Sequence, residues 1–159
     1  MSDLIILKYP DPALRKKAIE IVKITDAERN TLTEMSKIMY LNSGVGLAAT
    51  QLGIGVRLAV IDVGLGLLKM INPAIIKTGG TESQEEGCLS VPDTMVAVRR
   101  AKMVVVDFVN ENGEVKRLSA DGLLARAIQH EIDHLSGKLI VDYMHPVKKL
   151  FLKNNSKRG

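Results

Sequence analysis

Hydrophobic positions along the chain follow two rhythms. From Thr25 to about Leu41 they recur at helical spacing (Leu32, Met35, Ile38, Met39), which predicts an amphipathic helix with its stripe in the core. Thr25 and Glu28 form a capping box at its start, and Asn42-Ser43-Gly44 ends it. Beyond it the pattern shortens to strands: Val56–Val63, Leu67–Ile71, Ala74–Thr78, Met95–Arg99, Lys102–Val109 and Glu114–Ser119. Gly64-Leu65-Gly66 and Asn110-Glu111-Asn112-Gly113 supply turns, and Asn72-Pro73 is expected to break a strand. Helical spacing returns over 121–137, DGLLARAIQHEIDHLSG, with Asp121 or Ser119 as cap and Gly137 as stop. Lys138–Tyr143 reads as a last strand and Val147–Leu152 as a short helix begun by Pro146. At the other end, Leu4–Leu7 is a short apolar strand-like run. Tyr9-Pro10-Asp11-Pro12 then turns the chain into one helical turn, with Asp11 as cap and Pro12 in the first position. Short antiparallel strands around one buried helix make an α+β fold, read as one catalytic domain over 1–159 with a frayed basic tail from about 153.

Composition narrows the function classes. A chain of 159 residues with 46% apolar and 25% charged residues is an ordinary globular domain with one core. Aromatics are 3% with no Trp, which argues against stacking on bases and against a sequence-specific nucleic-acid partner. The net charge of +4 is a weak bias toward an anionic partner. A single cysteine excludes an internal disulfide scaffold, and no apolar run approaches the roughly 18 residues that a membrane span needs. With no signal-peptide pattern at the N-terminus, the bacterial cytoplasm is the expected location, an organelle reached by a removed import sequence being the alternative.

The chemistry concentrates in HEIDH. His130 and His134 are four apart, so a helix stacks both imidazoles on one face, with Glu131 one step round it. This is the pattern of a metal-bound pair with a glutamate general base, although two ordinary histidines on a helix would also produce it. A catalytic site of this type uses three protein ligands. A third histidine six residues on is excluded by Ile140, and no glutamate follows Glu131. Asp142, His145 and the upstream Cys88 remain. Cys88 lies in the polar, Gly-containing EEGCLS, unlike a core strand, and a Cys-His-His set suits iron, zinc, cobalt or nickel. A lean stretch, GVGLAATQ at 44–51, lets a backbone approach closely, and Gln51 ends it with an amide donor. It lacks the spacing of a phosphate-binding loop, so a substrate-lining backbone and a tight turn are the two readings.

In this order, GVGLAATQ, EGCLS and QHEIDH resemble the peptide deformylase family, as does the opening ILKYPDPALRKKA, so the resemblance covers nearly the whole chain. It implies an α+β fold and a metal-dependent hydrolase that removes the formyl group from formyl-methionine of nascent peptides, releasing formate. Carried over by position, Cys88, His130 and His134 are the metal ligands, with Fe2+ the usual ion and Zn2+, Ni2+ or Co2+ as substitutes. Glu131 is then the general base and acid for attack by metal-activated water, while Gln51 and the Leu89 N–H bind the formyl oxygen. Val45 and Gly46 would pair with the peptide backbone, and Glu86, Leu123 and Ala127 would line the methionine pocket. Met95 stands near where some members have an arginine. The C-terminal extension with which some members dock on the ribosome is reduced to Lys148, Lys149, Lys153, Lys157 and Arg158. A zinc peptidase and a non-catalytic ribosome-associated protein of the same fold are the competing readings.

Overall fold

The computed structural model describes residues 3–158, with side chains through residue 154. A five-stranded antiparallel sheet is its frame, in the order β1 (Gly46–Ala48), β2 (Leu58–Ile61), β3 (Leu68–Gly79), β6 (Met103–Val109), β7 (Val115–Asp121). A separate hairpin pairs β4 (Glu82–Cys88) with β5 (Val91–Arg100). Alternation along β2 sets what each face meets. Leu58 and Val60 pack with Leu32, Met35 and Met39 of helix α1 (Asp26–Leu41), whereas Ile61 packs with Ala125, Ala127 and Ile128 of helix α2 (Gly122–Leu135). The two helices therefore lie on opposite faces of the sheet, and all four β2 residues are buried. A third cluster seats the hairpin, through Val91, Val96 and Val98, against Tyr9, Leu14 and Leu139–Val141.

The capping box holds α1 where its periodicity places it, with both Thr25 and Glu28 bonds formed. Asp11 accepts from the Ala13 N–H and opens a short 3-10 helix, Pro12–Arg15. The hairpin β6–β7 turns at 110–113 as expected. Three expectations fail, and one strand stands where the pattern assigns none. Asn72-Pro73 does not break the strand: β3 runs through it with a register shift, Asn72 in a left-handed conformation and its amide bonded to both backbone groups of Ile21. The polar stretch 82–88, to which the pattern assigns no element, is a strand, because its partner β5 supplies the apolar face. Lys138–Tyr143 is not a strand but a 3-10 helix, Ile140–Tyr143, turned by Asp142 accepting from the Leu139 N–H. Leu4–Leu7 joins no sheet; it runs extended, with the Leu7 N–H bonded to Gln51 O. The last helix, α3, spans Pro146–Arg158, beyond Leu152 and through most of the expected tail. The side chains of Lys157 and Arg158, and residue 159, lie outside the described residues.

Candidate metal centre and peptide cleft

Helix α2 presents His130 and His134 on one face, and the hairpin brings Cys88, the last residue of β4, to meet them. The ligand atoms of the three lie within 4.8 Å of one another. Cys88 Sγ is 3.2 Å from His134 Nε2, which is 3.2 Å from His130 Nε2. Bonds of about 2.0–2.3 Å at tetrahedral angles would space such donors by about 3.3–3.6 Å, so the set fits one ion. Asp142 and His145 are not part of it. Asp142 is held by Arg15 and Lys149, and His145 accepts from the Val147 N–H.

The tautomer is set from behind. His130 Nδ1 donates to Glu86 at 2.9 Å, which turns Nε2 toward His134 and Cys88. Three donor atoms converge there, and a cation at the centre would take the place of the proton that His130 otherwise holds. Glu86 also takes two bonds from Arg100 and one from Arg126, and is only 7% exposed. Burial pushes its carboxyl up, but His130, Arg100 and Arg126 outweigh burial and hold it at about 2. Arg100 continues to Asp133, which also accepts from the Tyr143 hydroxyl. Burial, with His130 and Arg100 nearby, pushes His134 well down and keeps it neutral, the form that ligates. Burial lowers His130 too, yet the negative field of Glu131, Cys88 and Glu86 raises it well above its usual value. The same field attracts a dication.

Glu131 is 3% exposed, and its Oε1 finds no hydrogen-bond partner among the described residues. Burial raises its carboxyl to about 7. Its other oxygen packs against Gly46, where any Cβ would collide with it. A cleft of about 510 Å³ opens in front. Its lining includes Val45, Gly46, Gln51, Cys88, Leu89, Ala127, His130 and Glu131. One wall is the β1 end, whose outer edge pairs with no strand among the described residues. The opposite wall is the tip of the β4–β5 hairpin, where Leu89 and Ser90 form the two-residue loop between paired Cys88 and Val91. Gln51, in the 3-10 helix Ala49–Leu52, accepts from the Ala48 N–H through Oε1. Its Nε2 therefore points at the site, 3.1 Å from Ser90 Oγ and 3.7 Å from Cys88 Sγ.

The family profile for polypeptide deformylase matches residues 4–150. The chain belongs to the peptide deformylase family. It is 48% identical over 152 residues to the peptide deformylase of Pseudoalteromonas translucida, covering 94% of this chain and 91% of that one. The crystal structure of the Thermotoga maritima deformylase superposes with a TM-score of 0.88 at 41% identity, over 92% of this chain and all of that one (100%). The Synechococcus elongatus deformylase in complex with actinonin gives 0.91 at 43% identity, over 99% of this chain and 87% of that one. This deformylase is thus a metal-dependent hydrolase that removes the formyl group from formyl-methionine of newly made proteins.

The structure brings every expected site residue of the deformylase to this one place, with His134 beneath the cleft that the others line. Glu86 borders the cleft, with its carboxylate turned to Arg100, Arg126 and His130. Leu123 and Ala127 do border the cleft, Leu123 with half its surface exposed. Sequence reasoning missed Arg100, Arg126, Asp133 and Ser90. For Arg126 a signal was present: it stands four before His130, on the same helix face.

Proposed function

We propose that Cys88, His130 and His134 hold a single ferrous ion, which Zn2+, Ni2+ or Co2+ can replace, and that Glu131, Gln51 and Leu89 carry out deformylation around it. The mixed set of one thiolate and two imidazoles supports an ion of this group over a hard cation such as magnesium. When bound, the ion supplies Lewis acidity, which makes a hydroxide-like nucleophile available near neutral pH. The observation that carries the assignment is the unpartnered Glu131 Oε1 beside that donor set; among the described residues the one other buried side-chain polar atom without a partner is Nδ1 of His134, itself in the set. Glu131 takes the proton of the attacking water and returns it to the departing amine. The Gln51 amide and the Leu89 N–H donate to the formyl oxygen as negative charge develops on it. The formylated peptide lies along the open edge at Val45 and Gly46 as an added strand, with its methionine side chain against Leu123 and Ala127.

Substrates reach the enzyme in the bacterial cytoplasm, as nascent chains. The exposed Lys148 and Lys153 on α3 offer a contact for ribosomal RNA, which salt-sensitive co-sedimentation with ribosomes tests. Formate release from N-formyl-Met-Ala-Ser, with anaerobically purified protein and metal content measured on the same sample, tests the central reading. Turnover that tracks one iron per chain supports it. Turnover on unformylated peptides instead would favour a peptidase and overturn it.

A further inference from the structure

We propose that residues 7–9 are a strap that holds the two oxygen-binding donors in register, and that Lys8 is a positioning residue for deformylation. The inference rests on the reading of Gln51 and Leu89 given above. Those two donors come from unconnected elements, a 3-10 helix and the tip of a hairpin. A two-residue hairpin tip is held by its strands on one side only. The N-terminal segment closes the other side. Leu7 N–H donates to Gln51 O at 2.7 Å, and Tyr9 N–H donates to Ser90 O at 2.8 Å. Between them the Lys8 ammonium donates to Leu89 O at 2.8 Å.

The alternation of an extended segment explains the division of labour. Leu7 and Tyr9 pack into the cluster with Val91 and Leu139, which anchors the strap, while Lys8 faces the cleft. With the Leu89 and Ser90 carbonyls both tethered, the peptide planes at the tip cannot swing freely. The Leu89 N–H belongs to the adjoining Cys88–Leu89 plane, so the tethers restrict it from one side while the end of β4 restricts it from the other. Donors must sit within a fraction of an ångström of the developing charge to act fully, so a looser tip lowers turnover more than binding. The opening stretch ILKYP, which supplies no ligand, acid or base, thereby acquires a task in the reaction.

The test compares Lys8→Met, which keeps the stem and loses the donor, with Lys8→Arg and Gln51→Leu, all loaded with nickel and checked for metal content. For Lys8→Met, kcat on N-formyl-Met-Ala-Ser should fall about fivefold with KM within about twofold. Metal content and Tm should stay those of the parent. Hydrogen exchange of the peptide spanning 88–91 should quicken in the metal-free and loaded protein alike, and Lys8→Arg should recover most of the rate. Unchanged kcat in Lys8→Met overturns the strap, as does a loss that Lys8→Arg does not restore or that follows a fall in Tm. Gln51→Leu should lower kcat about a hundredfold. If it does and Lys8→Met does not, only the strap fails. If Gln51→Leu leaves kcat intact, the donor reading and the strap fail together.

Discussion

Two buried glutamates flank His130, and their surroundings are opposite. On the hairpin side, Glu86 receives four bonds, two from Arg100, one from Arg126 and one from His130. On the sheet side, Glu131 lies against the bare backbone of Gly46 with one oxygen unpartnered. Full satisfaction holds Glu86 ionised, at about 2, whereas burial without a partner lifts Glu131 to about 7. A carboxylate whose lone pairs are all used can orient a neighbour but cannot take up a proton. One left without a protein partner at the floor of the cleft is free to take up a proton. Environments that push two like groups apart assign their roles.

Glu131→Gln should produce the largest effect. It keeps the shape and removes the base, so kcat on a formylated peptide should fall about a thousandfold while one metal per chain is retained. Loss of metal in step with activity would put Glu131 among the supports and erase the contrast. Glu86→Gln should do the reverse. It leaves Arg100 and Arg126 buried beside a neutral amide, which should cost about 3–5 kcal/mol in denaturant unfolding. It also frees the His130 ring, so affinity for zinc, measured by competition with a chelator, should fall about 10–100-fold. A variant with native stability and metal affinity would show that the collar of cations does not position His130.

The two sides also differed in how far sequence revealed them. HEIDH declares its chemistry because one helix carries both imidazoles and the base at fixed angles, so local spacing is the geometry. Cys88 could be linked to that helix only through family resemblance, since nothing near it in the chain says that the hairpin folds over α2. The strands that alternate cleanly, such as β6, were legible for the same local reason. Strand β4 was not, because its polar residues acquire a face only through β5. The bonds of the Glu86 carboxylate were hidden for that reason: its arginine partners lie 14 and 40 residues away, and a charged residue beside a ligand looks the same in sequence whether it is free or spent. Asn72-Pro73 misled in the opposite sense. A bulge stabilised by Ile21 absorbs a pair that local rules read as a break.

Gly46→Ala sharpens the contrast from the Glu131 side. The added methyl meets the Glu131 carboxylate, which must turn away from the place it holds beside the donor set. A drop of about tenfold to a hundredfold in kcat/KM is expected, with metal content unchanged because no ligand is touched. Activity within about twofold of the parent would mean that Glu131 acts from another rotamer, and that its closeness to Gly46 is incidental.

The smallest expected effect comes from a second collared carboxylate, at the surface. Asp142 takes two bonds from Arg15, one from Lys149 and one from the Leu139 N–H, and so ties the N-terminal turn to α3. The collar is similar to that of Glu86, but Arg15 and Lys149 are both more than a third exposed. Water screens these charges, and side-chain freedom offsets part of the gain. Burial pushes the Asp142 carboxyl up; Arg15, the Leu139 N–H and Lys149 outweigh it and hold it well below the usual range. A depressed carboxyl contributes stability that is complete above its unfolded value and is lost as pH falls toward its folded one. Asp142→Asn should therefore cost about 1 kcal/mol at pH 7, against about 3–5 kcal/mol for Glu86→Gln. The gap between parent and variant should close as pH drops below about 4, where the unfolded carboxyl is protonated in the parent as well. Unfolding curves at pH 7 and pH 3 decide it. A cost equal to that of Glu86→Gln would mean that exposure does not weaken such a collar, and the difference between the buried and surface clusters would then need another cause.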